Sequence, residues 1–301
     1  MSDLKLFRTE KGKVAEIGSE SVELEKSLQS LIEANLETML GIRFLASEHV
    51  TGKTHGGRID TLGIDENACP VILEYKRTLN ENVINQGLFY LDWLLDHKAE
   101  VKILVIDKYG RDEADRIDWA GTRLLCIAAD FTRYDEHAVQ QINRNIELIR
   151  YRRFGEDLLL LEHVNAVTAK PPDARPTKAG EKLPPEEWVT EAIAGLKGPL
   201  LDVFEAIRAF LRALGDDVQE KHLSLYIAFK RLRNFVCIEI RKDKLLLFLK
   251  LNPESVRLES GFSRDVRNIG HYGTGGLELT VRNAGDFEKA KPLIVRSYGD
   301  S

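Results

Sequence analysis

The sequence predicts an α/β protein in two units, a mixed sheet core flanked by helices followed by a smaller α+β unit. Three observations predict it. Apolar residues recur at helical spacing over Ser21–Leu40 and from Glu81 to about His97, and strand-like segments stand between these helices at Ile42–Val50, Gly57–Ile64 and Pro70–Arg77. From 169 to 186 the composition turns to proline and charge (Lys170-Pro171-Pro172-Asp173-Ala174-Arg175-Pro176, then Pro184-Pro185), which reads as an exposed linker. Beyond it, strand patterns return at Leu223–Phe229, Phe235–Ile240 and Leu245–Leu251. A chain of 301 residues has room for both units, 1–168 and 187–301.

Taken in order, Leu4–Phe7 and Val14–Ile17 read as a short hairpin turning near Glu10-Lys11-Gly12. Leu24, Leu28, Leu31, Leu36 and Met39 define the first helix, and Gly41 stops it. The loop Thr51-Gly52-Lys53-Thr54-His55-Gly56-Gly57 lacks both the spacing and the following helix of a phosphate loop, so it reads as a mildly basic connection. The helix from Glu81 puts Gln86 and Tyr90 on one face, four residues apart. Val101–Ile106, apolar almost throughout, is expected to be a buried strand. Leu124–Ala129 adds a strand, Tyr134 to Asn145 a helix, and Ile146–Arg153 with Leu158–Val164 a hairpin. In the second unit, helices Glu187–Ala194 and Leu200–Leu214 precede the strands. Ser263–Ile269 reads as helical, Leu277–Val281 as a strand, and the chain from Asp286 as a last helix.

Composition excludes several classes. Hydrophobic content of 43% and charged content of 30% describe a globular domain protein. Met1-Ser2-Asp3-Leu4-Lys5-Leu6-Phe7-Arg8 has no signal-peptide core, and no apolar run reaches the ~18 residues that span a bilayer. Cys69, Cys126 and Cys237 are too scattered for a zinc motif or disulfide framework, and a cytoplasmic protein is expected. The net charge of −5 is uneven: residues 1–168 hold 21 basic and 29 acidic side chains, hence −8, and residues 187–301 hold 18 and 16, hence +2. This is not the basic field of a typical nucleic-acid binder.

The chemistry concentrates between Gly57 and Tyr90. Strand side chains alternate, so Glu74 and Lys76 project from one side of their strand, and Asp60 reaches that side across a hairpin. Two carboxylates so placed repel, and one takes up a proton unless a cation sits between them. A hard divalent ion such as Mg²⁺ suits the arrangement, because it needs few carboxylate oxygens and keeps several waters.

Asp60 followed by Glu74-Tyr75-Lys76 resembles the PD-(D/E)xK nuclease superfamily, and within it the NucS-like endonucleases. Gln86 and Tyr90 match the glutamine and tyrosine that follow E-x-K there, and Glu25 matches a glutamate on the helix before the sheet. The resemblance covers about residues 20 to 107, with Ile59 where a proline is usual. It implies a restriction-endonuclease-like fold and Mg²⁺- or Mn²⁺-dependent hydrolysis of phosphodiester bonds in DNA. Asp60, Glu74 and the Tyr75 carbonyl would hold the metal, with Glu25 binding it directly or through water. Lys76 would orient the nucleophile, and Gln86 and Tyr90 would position backbone or support the lysine.

Lys53, Arg58 and Arg77 near the cleft, and Lys230, Arg231 and Arg233 in the second unit, are the basic side chains expected to meet nucleic acid. Arg144, Arg150, Arg152 and Arg153 form a denser cluster that suits a phosphate grip or a solvated face equally. The second unit resembles an uncharacterised domain found C-terminal to such nuclease-like domains, on Tyr226-Ile227-Ala228-Phe229-Lys230, Gly270-His271-Tyr272 and Asp286-Phe287. Some relatives carry a transport label, which no membrane segment supports here. Two other classes compete with an enzyme: an inactive nuclease-fold module that binds nucleic acid, and a scaffold for a protein partner. A homodimer, or a protein partner on the C-terminal unit, is compatible with each.

Overall fold

The computed structural model describes residues 4–20, 25–52, 56–76, 83–167 and 188–301; the expected linker, 169–186, lies outside them. β1 (Leu6–Glu10) and β2 (Lys13–Ile17) form the expected hairpin, exposed and separate from the larger sheets, and β3 (Ser19–Glu20) follows. The helix expected over Ser21–Leu40 is two helices, α1 (Glu25–Ala34) and α2 (Leu36–Leu40), interrupted at Asn35. Leu28, Ile32, Leu36 and Leu40 are buried, at the i, i+4 spacing of an amphipathic helix.

The next three strands, β4 (Ile42–Val50), β5 (Arg58–Asp65) and β6 (Pro70–Lys76), run antiparallel to one another. Helices α3 (Val83–Asp96), α4 (Lys98–Tyr109) and α5 (Arg111–Asp115) then carry the chain across to β7 (Arg123–Ala128), which is parallel to β6. Gly87 lets α3 press on the sheet, since a Cβ there would stand 2.5 Å from the Leu124 side chain. After α6 (Arg133–Gln140), β8 (Ile146–Phe154) lies parallel to β7 and β9 (Leu158–Val167) folds back along β8. The order β3-β8-β7-β6-β5-β4, with β9 on β8, is a mixed sheet of seven strands with helices on both faces.

Val101–Ile106, expected as a strand, is the middle of α4. Val101 and Val105 are buried one turn apart while Ile103 is exposed, a period of 3.6 that a short apolar run conceals. The strand that completes the parallel pair is β7 instead, and Tyr109 at the end of α4 donates to the Phe44 carbonyl at 2.8 Å.

The second unit starts with α7 (Trp188–Ala194) and α8 (Pro199–Arg212). Six antiparallel strands follow: β10 (Gln219–His222), β11 (Ile227–Lys230), β12 (Asn234–Ile240), β13 (Leu245–Leu249), β14 (Ser263–Asp265) and β15 (Leu277–Val281), in the order β10-β11-β12-β13-β15-β14. Ser263–Ile269 was expected to be helical; its first three residues instead pair with β15. The chain closes with α9 (Ala284–Gly299), packed on the same face as α8. No helix among the described residues is long and apolar enough to cross a membrane.

The opposite face of this second sheet docks on the first unit, with Cys69 among Leu223, Tyr226, Ala228 and Phe248. The joint between the units is polar as well as apolar. Tyr226 Oη donates to Asn67 Oδ1 at 2.9 Å, Ser224 Oγ to Asp118 at 2.9 Å, and Lys221 Nζ to the Gly121 carbonyl at 2.7 Å. At its centre Lys230 Nζ donates to Glu147 Oε1 at 2.9 Å, Arg123 Nε approaches the same carboxylate at 3.1 Å, and the Arg123 guanidinium also pairs with Asp65. The free thiols of Cys69, Cys126 and Cys237 are all buried.

Candidate active site

Asp60 and Glu74 meet where the β5–β6 ladder opens. The paired register ends at Thr61 opposite Leu73, so Asp60 and Glu74 are the next two residues across the gap. There side chains replace backbone pairing: the Asp60 N–H donates to Glu74 Oε1 at 3.2 Å, and the Tyr75 N–H donates to Asp60 Oδ2 at 3.0 Å. The regular alternation of β5 fails at the same point. Thr61 faces α1, donating to Glu33 at 2.5 Å, yet Ile59 packs in the core on the α3 side. On β4 the corresponding break is Glu48, whose φ of 52° is rare for a residue with a side chain. Ser47 pairs with Thr61 and His49 with Ile59, which sets Glu48 opposite Asp60. Three carboxylates thus stand in a row on neighbouring strands, an arrangement that destabilises a sheet when nothing neutralises it.

Glu74 is fully buried, and its Oε2 has no hydrogen-bond partner among the described residues. Burial, then the negative charge of Asp60, push its carboxyl up to about 9, against the Asp60 N–H and the Lys76 ammonium, which favour the ionised form. Lys76, two residues on, follows the same face and is half-buried. Tyr75 points the other way, into the core beneath α1, and burial raises its phenol well above its ordinary range.

The remaining residues sort by what they touch. Tyr90 Oη accepts from the Arg58 N–H at 3.1 Å, and Gln86 Nε2 donates to Tyr90 Oη at 3.3 Å. They grip the entry to β5, two residues before Asp60, and Gly57 is required there because a Cβ would lie 2.5 Å from the Tyr90 ring. Glu25 is the first residue of α1, four residues before Gln29. It is Gln29 that reaches the Asp60 carbonyl, at 2.9 Å, and Glu33 Oε1 accepts from Gln29 and Thr61 behind the strand. Gln29 and Glu33 follow Glu25 at i+4 and i+8, so this supporting stripe was available in the sequence. Glu48 carried no such signal, because its position depends on a backbone turn of the wrong sign.

Arg58 is exposed and paired with Glu48 at 2.7 Å; Lys53 and Arg77 lie outside the described residues. In the second unit, Lys230 is corrected as a surface contact for nucleic acid: it is 2% exposed and locked to Glu147. Arg231 pairs with Asp217 at 2.6 Å and covers the Tyr298 ring, and Arg233 donates to the Asp300 carbonyl at 3.4 Å. The second unit contacts the Asp65–Asn67 end of β5, whereas Asp60 sits five residues, roughly 16 Å, back along the strand. Arg150 is likewise buried between Asp130 and Glu162, not presented to solvent.

A hard divalent ion fits this donor set. No three acidic or histidine side chains gather into one ligand cluster among the described residues, so an all-protein cage is absent there. Two carboxylates, one with an orphaned buried oxygen, suit an ion that keeps several of its waters.

Residues 189–301 match a family described as a domain of unknown function, DUF5655. Over 309 residues, 99% of this chain and 100% of the relative, the sequence is 28% identical to a protein of Haemophilus influenzae (strain Rd) described as an uncharacterized protein. Two solved structures also align. One is a repair endonuclease from Pyrococcus abyssi, 19% identical over 44% of this chain and 49% of that one, with a TM-score of 0.29. The other is an EndoMS–dsDNA complex, 21% identical over 44% and 47%, with a TM-score of 0.26. The chain spans about half the length of these two structures.

Proposed function

We propose that this chain is a metal-dependent nuclease that hydrolyses phosphodiester bonds in DNA. The observation that carries the reading is the Glu74 carboxyl, buried beside Asp60 with one oxygen that has no hydrogen-bond partner among the described residues. A buried polar atom left in that state is costly unless something else completes it. Asp60, Glu74 and the Tyr75 carbonyl would hold Mg²⁺ or Mn²⁺, which when bound polarises a phosphate and lowers the pKa of a water. Lys76 orients the nucleophile and offsets the charge that develops on the phosphate. Gln86 and Tyr90 fix the backbone at Gly57–Arg58, and Gln29 fixes the Asp60 carbonyl, so the first carboxylate is positioned from both faces of the sheet.

The test is incubation with single-stranded, duplex, branched and mismatched DNA in Mg²⁺ or Mn²⁺, with EDTA controls. Cleavage should need the metal and fall by about 10³-fold or more in Asp60→Asn and Glu74→Gln. Lys76→Ala should lose turnover to a similar degree while calorimetry shows metal affinity retained. Wild-type cleavage by both carboxylate variants would sink the reading.

A further inference from the structure

A cavity of about 820 Å³ lies at the joint between the units, walled by the second sheet and by residues Asn67, Ala68 and Arg116–Asp118 of the first. Its size falls within the ~300–1,000 Å³ of small-molecule sites. It stands at the Asp65–Asn67 end of β5, and Asp60 at the other. It therefore belongs to neither the Asp60–Glu74 pair nor the buried Glu147 network.

Besides Asp115 and Asp118, which are held by Lys102 and Ser224, two kinds of group face it. The first is aromatic. Trp188 and Tyr272 line it and are 44% and 50% exposed. His271 lies flat on Phe248, with ring centres 4.5 Å apart at 7°, and its Nδ1 is buried without a hydrogen-bond partner among the described residues. The second group is cationic. Arg264 makes a two-pronged pair with Glu278 at 2.6 and 2.7 Å, and Arg241 pairs with Glu239. Both glutamates are buried in the sheet, whereas the guanidinium side chains are about half exposed, 57% and 48%. Each carboxylate uses part of the five-donor fork and fixes its orientation, leaving donors that the carboxylate does not use. The Tyr272 N–H donates to Glu239 at 3.1 Å, so the loop that presents the ring is tied to the same carboxylate.

Oriented arginines facing exposed rings call for a ligand that is both planar and anionic. An apolar ligand would not use the guanidinium donors left over from the Glu239 and Glu278 pairs, and a simple anion would not use the aromatic walls. We propose that this cavity binds a nucleoside phosphate, its base stacked on Tyr272 and Trp188 and its phosphate on Arg241 and Arg264. Stacking on an aromatic ring and bidentate contact with arginine are the two interactions this chemistry supplies best. The same unit reaches the cavity as a free mononucleotide or as one residue of a single strand. The site is independent of the nuclease reading, because occupancy needs neither the metal nor cleavage.

The test is calorimetry on the full chain with AMP, GMP, CMP and UMP, with inorganic phosphate as control, and with an oligodeoxythymidine of about eight residues in parallel. At least one of these nucleotide probes should bind more tightly than phosphate. Tyr272→Ala and Arg264→Lys should each weaken that binding by about fivefold or more. Both variants keep the buried carboxylates covered, and a Tm within about 2 °C of the parent checks that the fold survives. Asp60→Asn should bind the nucleotide as the parent does. Tighter binding of the oligomer by about tenfold, still lost in Tyr272→Ala, identifies a strand as the source; equal or weaker binding identifies the free nucleotide. Absence of binding by every probe, or a loss below about threefold in either variant, overturns the assignment.

Discussion

Two groups of carboxylates, each with a buried member, sit at opposite ends of the same sheet, and the chain treats them in opposite ways. At the Asp65 end, Asp65 and Glu147 are met by Arg123, Lys230 and Lys221, all buried with them. Burial opposes ionisation there, but Lys230 and Arg123 overcome it and hold Glu147 well below the ordinary carboxylate range. At the Asp60 end burial also opposes ionisation, and the negative charge of Asp60 outweighs the Lys76 ammonium, so Glu74 rises to about 9. Burial alone therefore does not separate a structural acid from a site. What separates them is whether the fold itself supplies the counter-charge.

One substitution tests both ends, and its sign should reverse between them. Glu147→Gln leaves Arg123, Lys230 and Lys221 facing Asp65 alone and should destabilise the protein by about 3–5 kcal/mol in denaturant unfolding near neutral pH. Because the Glu147 pKa is depressed on folding, its contribution is present above the unfolded carboxyl pKa and is lost as pH falls through the folded value. A loss under about 1 kcal/mol would mean that the joint does not depend on this network.

Glu74→Gln should do the reverse in metal-free protein. The folded carboxyl keeps its proton up to about 9 and the unfolded one loses it near 4.5, so folding takes up a proton across that window. Stability then falls as pH rises, by at most about 1.4 kcal/mol per unit. The amide removes that penalty and should stabilise by about 2–3 kcal/mol at pH 8, with the gain vanishing near pH 4.5. A variant less stable than the parent at pH 8 would break the contrast between the two ends.

Sequence reading reached the two ends unequally, for physical reasons. Asp60, Glu74 and Lys76 are legible together because strand alternation and a hairpin are local rules. The Glu147–Lys230 pair joins residues 83 apart in sequence. Lys230 adjoins Arg231 and Arg233, which reads as a basic surface until the docked sheet is seen to bury it. The α4 segment fails differently: Val101–Ile106 is apolar enough for a strand, and only the exposure of Ile103 reveals a helix. Glu48 is hidden by its positive φ, since no sequence rule places a glutamate there.

The smallest effect bears most directly on the proposed metal. If Glu74 is a ligand, the ion must displace the proton that holds this carboxyl neutral below about 9. Apparent Mg²⁺ or Mn²⁺ affinity should then rise by about tenfold per pH unit, or ~1.4 kcal/mol, between roughly pH 6 and 9, and level off above that. Calorimetry in buffers of different ionisation heat should detect one proton released per ion bound. In Glu74→Gln both the slope and the released proton should disappear, whatever weak affinity Asp60 retains. Glu147 offers the internal control, because it is already ionised and its pairing lies at the far end of β5 from Asp60. A metal affinity that stays flat with pH in the parent protein would place the ion away from Glu74 and return that carboxyl to a buried neutral acid.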